Sequence, residues 1–236
     1  MKKIFLFLII SFLIFSQESD ILKIYGSFEN EGKLSGWEKI DGRSEYKIVE
    51  DSRDGKYGLN IFASGVKYIS PGIKINPDII WDTTKSLKCS FSIKFLQRYN
   101  GYFVSFYLKG RPVEKETPVY RFYYFVIHSG KNEFNLIKEN KKSWGWDNEK
   151  NRLNAFEGIK PDNYTFLSWI GNKVQTGEWG LKQNEWFDFN IDLKEAINIE
   201  GNPKIPEKIE IFEVGFLNYI YDTTNFIIDN IKLKGE

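Results

Sequence analysis

Leu87-Lys88-Cys89-Ser90-Phe91-Ser92-Ile93-Lys94-Phe95 alternates apolar and polar side chains without a break. That period of two is the signature of a β-strand with one buried face. Cys89 falls in the apolar set and reads as a small core residue, not a reactive thiol. The stretch from Trp186 to Leu193 repeats the pattern, with Phe187, Phe189, Ile191 and Leu193 on one face. Asp188, Asn190 and Asp192 form the other, which is expected to meet solvent. Tyr102 to Leu108 and Val119 to His128 are dense in aromatic and β-branched residues between Gly, Pro and Asn punctuation, and read as central strands. Further strands are expected at Glu45 to Val49, Leu59 to Ala63, Val66 to Ile75, Lys208 to Phe216 and Asn225 to Leu233. Asp54-Gly55 and Ser129-Gly130 supply turn chemistry between strands, and the only helical candidate is Lys194 to Ile197. Many short strands without helical alternation predict an all-β, antiparallel β-sandwich of jelly-roll type, its last strand paired near its first.

The chain opens with Lys2 and Lys3, an apolar run from Ile4 to Phe15 and a polar stretch from Ser16 to Asp20. That order marks a secretory signal peptide, and the run falls short of the roughly 20 apolar residues a membrane helix needs. Residues 1–19 are expected to be removed, leaving 20–236 as one secreted domain, periplasmic where the source has an outer membrane. Loss of Lys2 and Lys3 takes the formal charge from +1 to −1, and loss of Glu18 as well brings it to 0. A near-neutral chain has no electrostatic attraction for nucleic acid or an anionic membrane. Cys89 is the only cysteine, so no intramolecular disulfide forms and the domain, expected as a monomer, relies on its core.

The two ends carry a resemblance. Tyr25-Gly26-Ser27-Phe28-Glu29-Asn30, with Gly36-Trp37 after it, and Phe226-Ile227-Ile228-Asp229-Asn230-Ile231-Lys232-Leu233 at the close resemble the first and last strands of carbohydrate-binding modules with a galactose-binding-like jelly roll. Gly55 to Leu59, Ile69 to Ile75 and Glu185 to Leu193 follow in the same motif order. The likeness covers roughly Tyr25 to Ser92 and Glu185 to Leu233. The segment from about Lys131 to Asn184 departs from it and is expected to hold extra strands or a long loop.

The resemblance implies a polysaccharide or oligosaccharide partner and a structural calcium held by Glu29 and Asp229. Calcium takes six to eight oxygen ligands, so backbone carbonyls would supply the remainder. The plain alternative is that Glu29 caps a turn and Asp229 bonds backbone at a bulge. Glycan modules stack pyranose rings on solvent-facing Trp and Tyr and bond hydroxyls from the edges. Trp144 and Trp146 stand in a polar, charged stretch, and Trp169 and Trp179 flank the Gly-rich segment from Gly171 to Gly177. These four are the candidate stacking residues, with folding back onto one end of the sandwich as their structural alternative. Along Val119 to His128, Tyr120, Phe122 and Tyr124 share one face and Arg121, Tyr123 and Phe125 the other. Arg121 and Tyr123 are the candidates on the more polar set.

Catalysis has fewer footholds. His128 is the only histidine and no Gly-x-Ser-x-Gly motif occurs, which excludes multi-histidine metal sites and leaves little for a serine triad. Some jelly-roll polysaccharide lyases use a His beside Arg and Tyr, and Arg121, Tyr123 and His128 fall on one predicted strand, with His128 out of phase. Glycosidases use a pair of carboxylates, and Glu210 and Glu213 differ in parity. The reading is a non-catalytic polysaccharide binder, with no catalytic residues assigned. Its alternatives are a polysaccharide lyase or glycoside hydrolase of similar fold, and a structural or adhesive surface protein.

Overall fold

The computed structural model describes residues 22–29, 34, 36–40, 44–64, 72–97, 103–127, 144–147, 152–160, 163–170, 182–197, 205–219 and 223–235. Residues 1–19, the expected leader, lie outside them, as do His128 and Trp179. Among the described residues no helix is long and apolar enough to cross a membrane.

The strands are β1 (Leu22–Gly26), β2 (Glu38–Lys39), β3 (Glu45–Val49), β4 (Gly58–Ser64), β5 (Gly72–Ile75), β6 (Ile79–Asp82), β7 (Leu87–Phe95), β8 (Phe103–Pro112), β9 (Val119–Ile127), β10 (Trp144–Asp147), β11 (Arg152–Lys160), β12 (Asn163–Ile170), β13 (Trp186–Asp192), β14 (Lys208–Tyr219) and β15 (Thr223–Gly235). One short helix, α1 (Leu193–Ile197), follows β13. The strands form a six-stranded sheet ordered β13-β7-β15-β4-β3, with β1 on β15, and a nine-stranded sheet ordered β10-β11-β12-β9-β8-β14-β5-β2, with β6 on β14. The expected closure of the ends is present, since β1 runs antiparallel to β15. Pairing is antiparallel throughout except between β9 and β12, which run parallel. Parallel neighbours need a long crossover, and here that crossover contains β10 and β11.

The alternation in β7 decides how the sheets meet. Leu87, Cys89, Phe91, Ile93 and Phe95 are all buried, while Lys88 is exposed. Phe91 of the smaller sheet lies 4.8 Å from Phe106 and 5.3 Å from Phe216 of the larger sheet, ring centre to ring centre. Burial of one such side chain stabilises by about 1.5–3 kcal/mol, and a well-set aromatic pair adds about 0.5–1.5 kcal/mol. Cys89 is fully buried, and burial, with Asp192 nearby, pushes its thiol well above the usual range, as expected for a core residue.

Of the register shifts among the described strands, those in β14 and β15 adjust the core faces. In β14 the register to β8 shifts between Ile211 and Glu213, so Ile209 and Ile211 before it and Val214 and Phe216 after it all reach the core. Without that extra residue Val214 and Phe216 would turn outward. The bulge also corrects the parity reading of Glu210 and Glu213, because both now stand on the outward face, opposite Arg111 and Lys109 of β8. In β15 the register to β7 shifts between Asp229 and Lys232. Asn230 there takes a positive φ of 55°, which keeps Ile231 and Leu233 in the core.

Candidate functional site

Register through the larger sheet brings the aromatic and charged candidates together. Trp144 pairs with Ala155, Ala155 with Leu167, Leu167 with Tyr123, and Tyr123 with Tyr107. The next rank runs from Trp146 through Leu153 and Trp169 to Phe125. A third runs from Glu157 through Thr165, Arg121 and Lys109 to Glu213. Cross-strand partners share a face. These ranks alternate with those of Tyr120, Phe122 and Tyr124, which are buried in the core. Trp144, Trp146 and Trp169 therefore share backbone register parity with Arg121 and Tyr123, and the side chains of the three Trp residues lie outside the described ones. Sequence spacing could not relate them, because β10 to β12 enter by the crossover that precedes the parallel pair.

Tyr107 and Glu213 stand at the centre of this face. Tyr107 is almost wholly buried and its ring lies 5.9 Å from that of Tyr123. Gly215 opposes it across the strand pair, and a Cβ there would stand 2.7 Å from the Tyr107 ring and 2.4 Å from the Ile73 carbonyl. Only glycine leaves room for the ring. The Tyr107 hydroxyl donates to Glu213 Oε1 at 2.8 Å, and Lys109 Nζ approaches the same oxygen at 2.7 Å. Lys74 Nζ stands 3.9 Å from Glu213 and 3.8 Å from Glu38. Burial opposes the charged form of Glu213, yet the bonds from Lys109 and Tyr107 and the charges of Lys109 and Lys74 prevail and hold it below the usual range. Arg111 binds Glu210 at 2.9 Å and Glu116 at 2.7 Å. Arg121 is half-buried, and its Nε is screened from solvent with no hydrogen-bond partner. Burial raises the Tyr123 phenol, against the Arg121 charge, and Glu213 adds to the rise. On the core side, burial beside Tyr164 pushes Tyr120 up to about 12.

Glu29 and Asp229 meet at a second place, under the segment from Asp51 to Tyr57. Glu29 Oε1 accepts from the backbone N–H of Lys56 at 2.9 Å and of Tyr57 at 2.8 Å. Asp229 Oδ2 accepts from Arg53 N–H at 2.8 Å and Asp54 N–H at 3.0 Å. Arg53 also forks onto Asp188 through Nε and Nη2, the shortest contact being 2.7 Å, and Ser92 Oγ donates to Asp188 at 2.7 Å. Lys94 holds Asp51 at 2.8 Å. Gly55 turns this segment at φ +76°, and a Cβ there would come within 2.6 Å of Glu29 Oε1. Both carboxylates thus make the backbone bonds of the plain alternative.

One atom goes beyond that role. Asp229 is fully buried, and its Oδ1 has no partner. Burial raises its pKa, the N–H groups of Asp54, Asn230 and Arg53 oppose the rise, and the Glu29 charge adds to it. A buried carboxylate oxygen with no donor, beside a second carboxylate, suits a hard cation. Among the described residues no cluster of three or more His, Cys, Asp or Glu side chains could hold a metal, so carbonyls or water would complete the shell.

The fold and the two sites define a β-sandwich with one polar, aromatic sheet face and a carboxylate tie near its ends. No protein-family model matches the chain, and no curated protein matches it. Solved structures similar to it include carbohydrate-binding modules and glycoside hydrolases. The family 11 carbohydrate-binding module from Clostridium thermocellum, in complex with a β-1,3-1,4-mixed-linked tetrasaccharide, is 16% identical over 90% of this chain and 94% of that chain, at a TM-score of 0.48. The family 12 xyloglucanase from Bacillus licheniformis is 11% identical over 90% of each chain, at 0.49. The CBM22-1 xylan-binding domain from Paenibacillus barcinonensis Xyn10C is 10% identical over 90% of this chain and 94% of that chain, at 0.39. At such identities and scores neither ligand nor activity carries over.

Proposed function

We propose that the protein is a secreted, monomeric, non-catalytic polysaccharide-binding protein whose ligand lies on the outward face of the larger sheet. The observation that supports this reading is the common face of Trp144, Trp146, Trp169, Tyr123 and Arg121 in the strand register. Stacking on the aromatics reads sugar ring faces, and the charged side chains between them bond the ring substituents. Trp179 is assigned to the same role from its sequence setting alone.

The sheltered carboxylate Glu213 does not supply a glycosidase's acid. A glycosidase keeps one carboxyl protonated as its acid, within about 5–9.5 Å of its partner. Glu213 is instead held ionised. Glu157 and Glu213 occupy one rank but stand four strand spacings apart, about 19 Å at the backbone.

A structural calcium is part of the proposal. Asp229 and Glu29 would hold it, and a bound divalent ion would neutralise the buried charge and tie the last strand to the 51–57 segment. It takes no part in sugar chemistry.

The test is retention of the mature protein on a panel of insoluble and gel-embedded polysaccharides, beside the Trp144→Ala/Trp146→Ala double variant, with supernatants assayed for released sugar. Retention that the double variant loses, without sugar release, is the expected result. Products absorbing in the ultraviolet as unsaturated ends, abolished by His128→Ala or Arg121→Ala, would move the protein to the lyases. Retention on no polymer would favour an adhesive or structural surface protein.

A further inference from the structure

Resting on the polysaccharide reading, we propose that the bound polymer is acidic and that Arg121 receives its sugar carboxylate. A guanidinium is always charged and carries five N–H donors. Withdrawing it from water without a counter-charge is costly, so a half-buried arginine with a sealed, unbonded Nε is a group awaiting an acceptor. The described cations around it on this face are matched. Lys109 has Glu213, Lys74 has Glu213 and Glu38, and Arg111 has Glu210 and Glu116.

The ladder makes the imbalance local. Lys109 stands directly opposite Arg121 across the β8–β9 pair, and Thr165 opposes it on β12. Like charges in that relation repel, and the Glu213 carboxylate that relieves Lys109 is already shared with Tyr107 and Lys74. Lys74 and Lys109 thus share one sheltered carboxylate, while Glu38 is largely exposed. Tyr123, two residues along the same strand face, offers a ring beside the guanidinium. A planar carboxylate meets the arginine fork with two parallel bonds, which a hydroxyl cannot reproduce. Glu157 stands in the same rank two strands away, about 10 Å at the backbone, and is the internal competitor to exclude.

The experiment compares affinity for polygalacturonate, alginate and glucuronan with that for the carboxyl-reduced form of each and for a sulfated neutral glycan, using wild type, Arg121→Gln, Arg121→Lys and Glu157→Gln. The expected result is about tenfold tighter binding to one acidic polymer than to its reduced form, weakening as salt is raised. Arg121→Gln should erase that ratio but keep the residual binding to the reduced polymer, Arg121→Lys should keep part of it, and Glu157→Gln should leave or raise it. Equal binding to acidic and reduced polymers, preference for the sulfated glycan, or an acidic preference indifferent to Arg121→Gln would each overturn the proposal and leave the polysaccharide reading standing. Failure to bind every polymer, neutral ones included, would overturn the polysaccharide reading itself. An unchanged unfolding midpoint in Arg121→Lys separates lost recognition from lost folding.

Discussion

The outward faces of the two sheets use similar residues to different ends. On the smaller sheet, Asp229, Asp188 and Glu29 take donors from the 51–57 segment, and Lys94 pins Asp51. The polar groups there are consumed in fastening chain to sheet, and the orphan among the described groups of that face is an anion, Asp229 Oδ1. On the larger sheet, Lys109, Lys74 and Arg111 are matched to carboxylates, but no chain segment among the described residues bonds across Arg121, and the orphan is a cation. A face whose bonds close on itself stabilises; an arginine left without a counter-charge is where we propose recognition. The two orphans have opposite sign, and so do the ligands proposed for them.

Calcium gives the largest expected separation between the faces. At about one hundred times its dissociation constant, a native-state ligand adds about 2.7 kcal/mol. For a domain of this size that raises Tm by about 5–10 °C. Chelation with EDTA should reverse the shift, Asp229→Asn should abolish it, and glycan affinity should stay constant; a melt indifferent to EDTA would sink the ion. The Trp144→Ala/Trp146→Ala variant is the mirror image. It should lose about thirtyfold in polysaccharide affinity, about 2 kcal/mol, with the unfolding midpoint nearly unchanged. A collapsed midpoint would mean that the indoles are core.

Gly55→Ala tests the fastening alone. It places a Cβ at positive φ against Glu29 and should cost about 1–2 kcal/mol in denaturant unfolding, with binding retained. The smallest effect is on pH. The fork from Arg53, against modest burial and with help from Ser92, lowers Asp188, while Lys109 and Tyr107 hold Glu213 down against its burial. Both folded-state values lie below the unfolded ones. Their contribution is therefore complete above about pH 5 and is lost as pH falls through the folded values. Unfolding measured from neutral pH downward should show this loss, reduced in Glu213→Gln; an unchanged slope in that variant would remove Glu213 from the ledger.

Much of the sandwich was legible along the chain. Glu45 to Val49 is β3 as expected, the alternation of Leu87 to Phe95 set the core face of β7, and β9 divides its faces at Tyr120, Phe122 and Tyr124 against Arg121 and Tyr123. The short strand β6, Ile79–Asp82, escaped because four residues carry too little periodicity to stand out. Glu210 and Glu213 were assigned to opposite faces because a bulge leaves no mark on alternation until a partner strand supplies the register.

Local composition by itself determined the element type, the inward side of each long strand, the inert thiol of Cys89 and the candidate status of the Trp, Arg and Tyr residues. Those properties follow from a side chain and its near neighbours, which a period of two records. Only the tertiary structure decided that the crossover strands β10 to β12 line up with β9, that the bulge in β14 turns Glu213 outward to Lys109, and that Asp229 and Arg121 each keep an atom without a partner. Register between distant segments is set by mutual packing of the two sheets, and an unmet hydrogen bond exists only once every competing partner has been placed.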